Sequence, residues 1–212
     1  TMLPVQIKPG IFWVGTNDRI TDLFEGLWPI REEGVSYNSY LIRDEKNVLI
    51  DLSKETMTDT LISQISRLVD LSRLDYVVIN HMEPDHSGAL RMLLRLAPQV
   101  QLIGTAKTRD MLQSFYGISE RVKVVADGEE LPLGEHTLRF TMTPFVHWPE
   151  TMMTYEEKEG ILFSCDGFGG YGELPGVVFD DEVENTAWFE QEALRYYTNI
   201  VATFSKPVRN AI

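Results

Sequence analysis

Only one of the 212 residues is a cysteine, Cys165, so the chain has no partner for an internal disulfide. A chain of this length buries enough apolar surface to fold without bridges, and such sparing thiol use is the pattern of a reducing compartment, so a cytoplasmic protein is expected. Basic residues are also scarce: 19 Lys and Arg stand against 32 Asp and Glu, a formal charge of −13. That balance leaves no basic stripe to neutralise a phosphate backbone, which excludes a nucleic-acid partner. No apolar run approaches the roughly 20 residues of a membrane span, and the opening Thr1-Met2-Leu3-Pro4-Val5-Gln6 lacks a basic segment followed by an apolar one. No membrane association is expected. A Ser/Thr/Gly-rich loop that could cradle a phosphate after a strand is missing too, as are repeats, low-complexity tracts and long linkers. One domain over residues 1–212 is the simplest organisation.

What is present alternates between two regimes. The first quarter, through Ile11-Phe12-Trp13-Val14, residues 36–42 and Val48-Leu49-Ile50, has the period of short strands separated by turn clusters. Met57, Leu61, Ile65 and Leu68 then recur at helical spacing, and residues 74–80 return to strand character. A second helix carries Leu90, Leu93 and Leu94 up to Pro98, a strand follows over residues 100–104, and a third helix over 105–116 stops at Gly117. Beyond Asp127-Gly128, short strands take over at residues 138–142, 152–155 and 161–164. The Glu156-Glu157-Lys158-Glu159 run between the last two has the composition of a solvated hairpin tip. A helix is expected over 182–203, with a further one beginning near Pro207. The layout is that of an α/β (α+β) protein.

The chemistry concentrates in Asn80-His81-Met82-Glu83-Pro84-Asp85-His86-Ser87-Gly88, directly after the apolar run Tyr76-Val77-Val78-Ile79. A strand ending in a turn stiffened by Pro84 can aim His81, Glu83, Asp85 and His86 into one pocket, and four such groups from one loop suggest more than one metal ion. Imidazole mixed with carboxylate favours iron or manganese and supports bridging. His147 and Asp166 each follow a strand-like segment and are further candidates. Asp51, after Val48-Leu49-Ile50, could orient a ligand or cap the loop; Trp148 and Tyr171 could wall the pocket or pack in the core. Any one of these residues has an ordinary structural explanation, such as helix capping by Asp85 or a turn role for Asp166. Cys165 has that of a small apolar residue. The combination carries the metal reading.

Taken in order, Glu33-Gly34-Val35-Ser36-Tyr37-Asn38-Ser39-Tyr40-Leu41, Val48-Leu49-Ile50-Asp51, the loop Asn80 to Gly88, Asp127-Gly128-Glu129, Met142-Thr143-Pro144 with His147-Trp148-Pro149, and Leu162-Phe163-Ser164-Cys165-Asp166 form a specific series. The chain thereby resembles the metallo-β-lactamase-like domain of flavodiiron proteins, the oxygen and nitric oxide reductases. The resemblance implies an αββα sandwich with the metals at the sheet edge. It implies two iron ions, ferrous or ferric, joined by a bridging oxo, hydroxo or peroxo group. One iron would be held by His81, Glu83 and His147, the other by Asp85 and His86, with Asp166 between them. The wider superfamily carries His where Glu83 stands and comprises zinc hydrolases. The family's last ligand, a histidine in a Gly-rich loop beyond the final helix, has no counterpart before Ile212, and His136 matches no motif for it. The expectation is a C-terminally incomplete domain.

The family also carries a flavodoxin-like domain, and this sequence has no counterpart, so no flavin is expected within it. Electrons would then come from an external flavodoxin- or rubredoxin-like donor, and the family's head-to-tail homodimer is an expectation from resemblance alone. Three functions follow. The leading one is an oxidoreductase that reduces dioxygen or nitric oxide. The second is a diiron oxygen sensor that forms a stable adduct and signals to a partner protein. The third is a zinc-dependent hydrolase, against which Glu83 counts.

Overall fold

The computed structural model describes residues 2–212. Five strands precede the first long sheet connection: β1 (Val5–Lys8), β2 (Ile11–Trp13), β3 (Thr16–Asp18), β4 (Leu23–Phe24) and β5 (Trp28–Pro29). Next come β6 (Val35–Tyr37), β7 (Tyr40–Ile42), β8 (Asn47–Ile50), α1 (Thr58–Ser66), β9 (Leu74–Val78), the single turn α2 (Pro84–Ser87) and α3 (Leu90–Leu96). The chain continues through β10 (Gln101–Gly104), α4 (Ala106–Tyr116), β11 (Val122–Val124), β12 (Glu130–Pro132), β13 (Thr137–Met142), β14 (Met152–Glu156) and β15 (Ile161–Phe163). Helices α5 (Thr186–Tyr196) and α6 (Ser205–Ala211) end it.

Seven strands form one sheet in the order β1-β2-β7-β8-β9-β10-β11, with β8 to β11 parallel and α1 to α4 in their connections; β12 to β15 form an antiparallel sheet. The parallel strands are apolar on both faces because both faces are covered, and the period of two divides their residues between two cores. Leu49, Val77 and Leu102 face Leu61, Ile65, Leu93 and Leu112 of the helices. Their neighbours Val48, Ile50, Val78 and Ile103 face Leu138, Phe140, Met152 and Phe163 of the second sheet. Helix, sheet and sheet therefore stack as three successive layers of the αββα sandwich the resemblance implied. α5 and α6 lie at one end, against a third core that contains Phe24, Tyr37, Tyr171 and Tyr196.

Local stops behave as their residues dictate. Thr105 accepts from Thr108 N at the start of α4, and Gly117 ends it at φ 68°, the left-handed cap expected there. Residues 36–42 do not form one strand. Tyr37 pairs with Thr16 in a small β3–β6 sheet, whereas Tyr40 pairs with Trp13 in the large one. The chain changes sheets at Asn38-Ser39, where Asn38 Oδ1 accepts from Trp13 Nε1 at 2.9 Å and Ser39 Oγ donates to Leu52 O at 2.8 Å. The helix expected over 182–203 begins only at Thr186, because the Asn185 side chain caps it by accepting from Trp188 N, and it loosens into a π-helical turn over Tyr197–Val201.

The solvated-tip expectation fails for Glu156, which is fully buried. It accepts from Lys158 N and Glu159 N, both at 2.8 Å, and lies 2.9 Å from Nδ1 of the buried His136, which closes the base of the hairpin. Among the described residues no helix is long and apolar enough to cross a membrane.

Candidate metal centre

The loop after β9 is fixed from both sheets through one residue. Asn80 N and Nδ2 donate to Asp51 at 2.8 and 3.0 Å, Asn80 Oδ1 accepts from Thr154 Oγ1 at 2.8 Å, and Asn80 O accepts from Met152 N at 3.1 Å. Beyond it, Pro84 opens the short turn α2, and His86 N and Ser87 N both donate to Glu83 O. The buried Ser87 hydroxyl sits 2.8 Å from Met82 O and 2.7 Å from Tyr116 Oη, which ties the loop to α4. These bonds fix the loop's backbone at Asn80, Met82, Glu83, His86 and Ser87 and leave the ligand side chains to point into the site.

His81, Glu83, His147 and Asp166 converge so that one ligand atom of each lies within 4.8 Å of the others, and all four residues are buried. His81 Nε2 is 3.2 Å from Glu83 Oε2 and 3.4 Å from Asp166 Oδ2; His147 Nε2 is 3.1 and 3.3 Å from the same two oxygens. Donor atoms about 2.1 Å from a common ion stand about 3.0–3.4 Å apart in octahedral or tetrahedral coordination, so this spacing is that of a first coordination shell. Hydrogen bonding accounts for only part of it: His81 Nε2 reaches Glu83 Oε2, whereas His147 Nε2 and Asp166 Oδ2 are buried without a hydrogen-bond partner.

A second group lies alongside. His86 Nε2 is 2.9 Å from Asp166 Oδ1 and 3.4 Å from Asp85 Oδ2, and Asp85 Oδ1 is buried without a partner. Asp166 therefore turns one oxygen to each group. Three carboxylates and three imidazoles at this separation fit two divalent first-row cations, whose charge would offset the carboxylate repulsion.

The protonation balance reflects the same crowding. Burial opposes charge on His81 and His147, yet the facing carboxylates prevail: Glu150 and Glu83 lift His81 to about 9, and Asp166 and Glu83 lift His147 to about 10. Burial would likewise raise Glu83 and Asp166, but the imidazoles hold both below the usual carboxylate range. For Asp85 burial wins and raises it to about 6. A cavity of about 370 Å³ opens beside Asp85, His86 and Asp166 and is walled by Phe24, Tyr171 and Tyr196.

All six candidate ligands thus meet in one place. Tyr171 is buried among aromatic rings, 5.5 Å from Phe24 and 5.2 Å from Tyr196, at the cavity wall. Trp148 does not line that cavity; its ring stands edge-on to His81 at 5.1 Å. Asp51 holds Asn80, and so the loop, instead of hydrogen-bonding a ligand histidine. Cys165, expected as a packing residue, is half-buried with Sγ 3.4 Å from His86 Nδ1. One residue was missed: Glu150 is buried, with Oε1 2.6 Å from His81 Nδ1 and accepting from Met82 N at 2.8 Å. The clue lay in chemistry, because a ligating imidazole needs an acceptor for its second nitrogen and Glu150 stands three residues beyond His147.

A metallo-β-lactamase-like sandwich with a carboxylate shared between two histidine groups is the class this fold and site define. The profile of the ODP family beta lactamases matches residues 35–209, and the chain belongs to that family. It is 39% identical over 208 residues to the anaerobic nitric oxide reductase flavorubredoxin of Salmonella typhi, covering 97% of this chain and 43% of that protein. The crystal structure of the flavodiiron protein from Giardia intestinalis superposes with a TM-score of 0.93 at 32% identity, over 100% of this chain and 51% of that one. Rubredoxin oxygen:oxidoreductase from Desulfovibrio gigas gives 0.93 at 31% identity, over 98% and 51%. The chain spans about half the length of these relatives, and the shared half is their metallo-β-lactamase-like domain.

Proposed function

We propose that the chain is the iron-bearing part of a non-haem diiron oxidoreductase that reduces dioxygen or nitric oxide with electrons from an external donor. The observation that carries this is Asp166, whose two oxygens face two separate histidine–carboxylate groups, as a residue bridging two ions must. Glu83 supports iron over zinc, since an added carboxylate hardens the site. The relatives named above, one a nitric oxide reductase and one an oxygen oxidoreductase, support the reaction class.

In this reading His81, Glu83 and His147 hold one ion, Asp85 and His86 hold the other, and Asp166 joins them. The pair would supply electrons to a small diatomic substrate. The chain's own contribution is placement: Asp51 and Asn80 fix the loop, and Ser87 clamps it to Tyr116. Phe24, Tyr171 and Tyr196 present an apolar wall beside Asp85 and His86, which limits water at the substrate side.

The test is anaerobic loading with ferrous iron, followed by oxygen or nitric oxide with excess reductant. Sustained consumption of either gas, abolished by His147→Ala, supports the proposal. Two tightly held zinc ions with hydrolytic turnover and no gas consumption would defeat it.

A further inference from the structure

His81 and His86 come from the same loop, yet their second ring nitrogens meet different groups. His81 Nδ1 lies 2.6 Å from Glu150 Oε1, and both side chains are fully buried. His86 Nδ1 instead faces the Cys165 thiol at 3.4 Å. Asp85 and Asp166 face His86 through Nε2, and Asp51, which also lies near this ring, has both of its oxygens accepting from Asn80. One imidazole is therefore backed by a carboxylate and the other by a thiol.

The surroundings hold Glu150 in that position. Its Oε1 also accepts from Met82 N, and its backbone carbonyl accepts from Thr105 Oγ1 at 3.1 Å. Its other oxygen, Oε2, is buried without a partner. A buried carboxylate with an unsatisfied oxygen is destabilising unless positive charge lies close by, and the titratable group this carboxylate contacts is the ring of His81. A charge-assisted bond on Nδ1 fixes the tautomer that presents Nε2 inward and raises the basicity of that nitrogen; such partners change metal affinity about 10–100-fold.

We propose that Glu150 is a positioning residue that makes the two ion positions unequal, so that the ion on His81, Glu83 and His147 binds first and more tightly than the one on Asp85 and His86. The inference rests on the two-ion reading above.

Anaerobic titration of the protein with cobalt(II), followed by its visible absorption, tests it. The wild-type protein should fill in two steps. Glu150→Gln keeps the size and the acceptor for Met82 N but removes the charge; it should weaken the tighter step 10–100-fold and leave the weaker one within about twofold. Glu156→Gln, which alters the buried pair with His136 outside the site, is the control: it should lower the melting temperature without moving either step. Equal weakening of both steps by Glu150→Gln, or no weakening, overturns the inference while leaving two bound ions intact. Absence of cobalt binding by the wild-type protein defeats the two-ion reading itself. A measurement independent of the variants is proton NMR of the zinc-loaded wild-type protein. One strongly downfield, slowly exchanging imidazole N–H should appear from His81, and its absence would overturn the inference even if Glu150→Gln failed to fold.

Discussion

Oδ1 of Asp166 lies 2.9 Å from Nε2 of His86, while the other oxygen of the same carboxylate closes the group around Glu83. Asp166→Asn keeps the shape but takes anionic charge from both groups at once. Bound metal should fall from two ions per chain to one or fewer. The melting temperature without added metal should fall, because the three facing imidazoles stabilise the ionised carboxylate and the neutral amide forfeits that contribution. Elemental analysis beside a thermal melt checks both outcomes.

The loop that carries the ligands is also packed to its limit. A Cβ on Gly88 would stand 2.6 Å from both Glu55 N and Pro84 O, which are backbone atoms unable to swing aside. Gly88→Ala should destabilise the fold by about 1–3 kcal/mol and weaken metal binding, because relief requires α2 to move. Urea denaturation and the cobalt titration measure the two effects.

Asp51 is buried at φ 55° and accepts from both nitrogens of Asn80. Asp51→Ala strands a buried N–H and should destabilise the protein by about 2 kcal/mol. Asp51→Asn, which tolerates the left-handed backbone and can still accept from Asn80 N, should lose about half of that. Equilibrium unfolding of the two variants gives the comparison.

Acid sensitivity should trace in part to Asp18. Burial would raise this carboxyl, but bonds from Thr21, Tyr37 and the Ile20 and Thr21 amides hold it below 3.8. A depressed folded-state value means that its stabilisation is complete above the unfolded value of 3.8 and is lost as the pH falls through the lower folded one. Asp18→Asn should therefore be less stable than wild type near neutrality and should lose less between pH 5 and pH 2, as denaturation midpoints across that range will register.

Much of this was legible in the residues because it rests on local periodicity and on a compact motif. The parallel strands, α4 with its Thr105 and Gly117 ends, and the candidates His81, Glu83, Asp85 and His86 follow from neighbours within a few positions, whereas His147 and Asp166 rested on their strand-end places and on the family resemblance. What escaped depends on contacts across the chain. Glu150 is separated from His81 by 69 residues, and the burial of Glu156 depends on His136, 20 residues away. Charge alone made Glu156 look solvated, and the switch of sheets at Asn38-Ser39 depends on Trp13 and Leu52, which lie 25 and 13 residues away.

The most direct test of the two-ion centre is the stoichiometry and magnetic coupling of iron in the anaerobically loaded protein, read by Mössbauer spectroscopy after oxidation. Two irons per chain, exchange-coupled in wild type and uncoupled or lost in Asp166→Asn, is the result expected. A single uncoupled iron in wild type, or two irons whose coupling survives Asp166→Asn, would contradict a pair joined through that carboxylate.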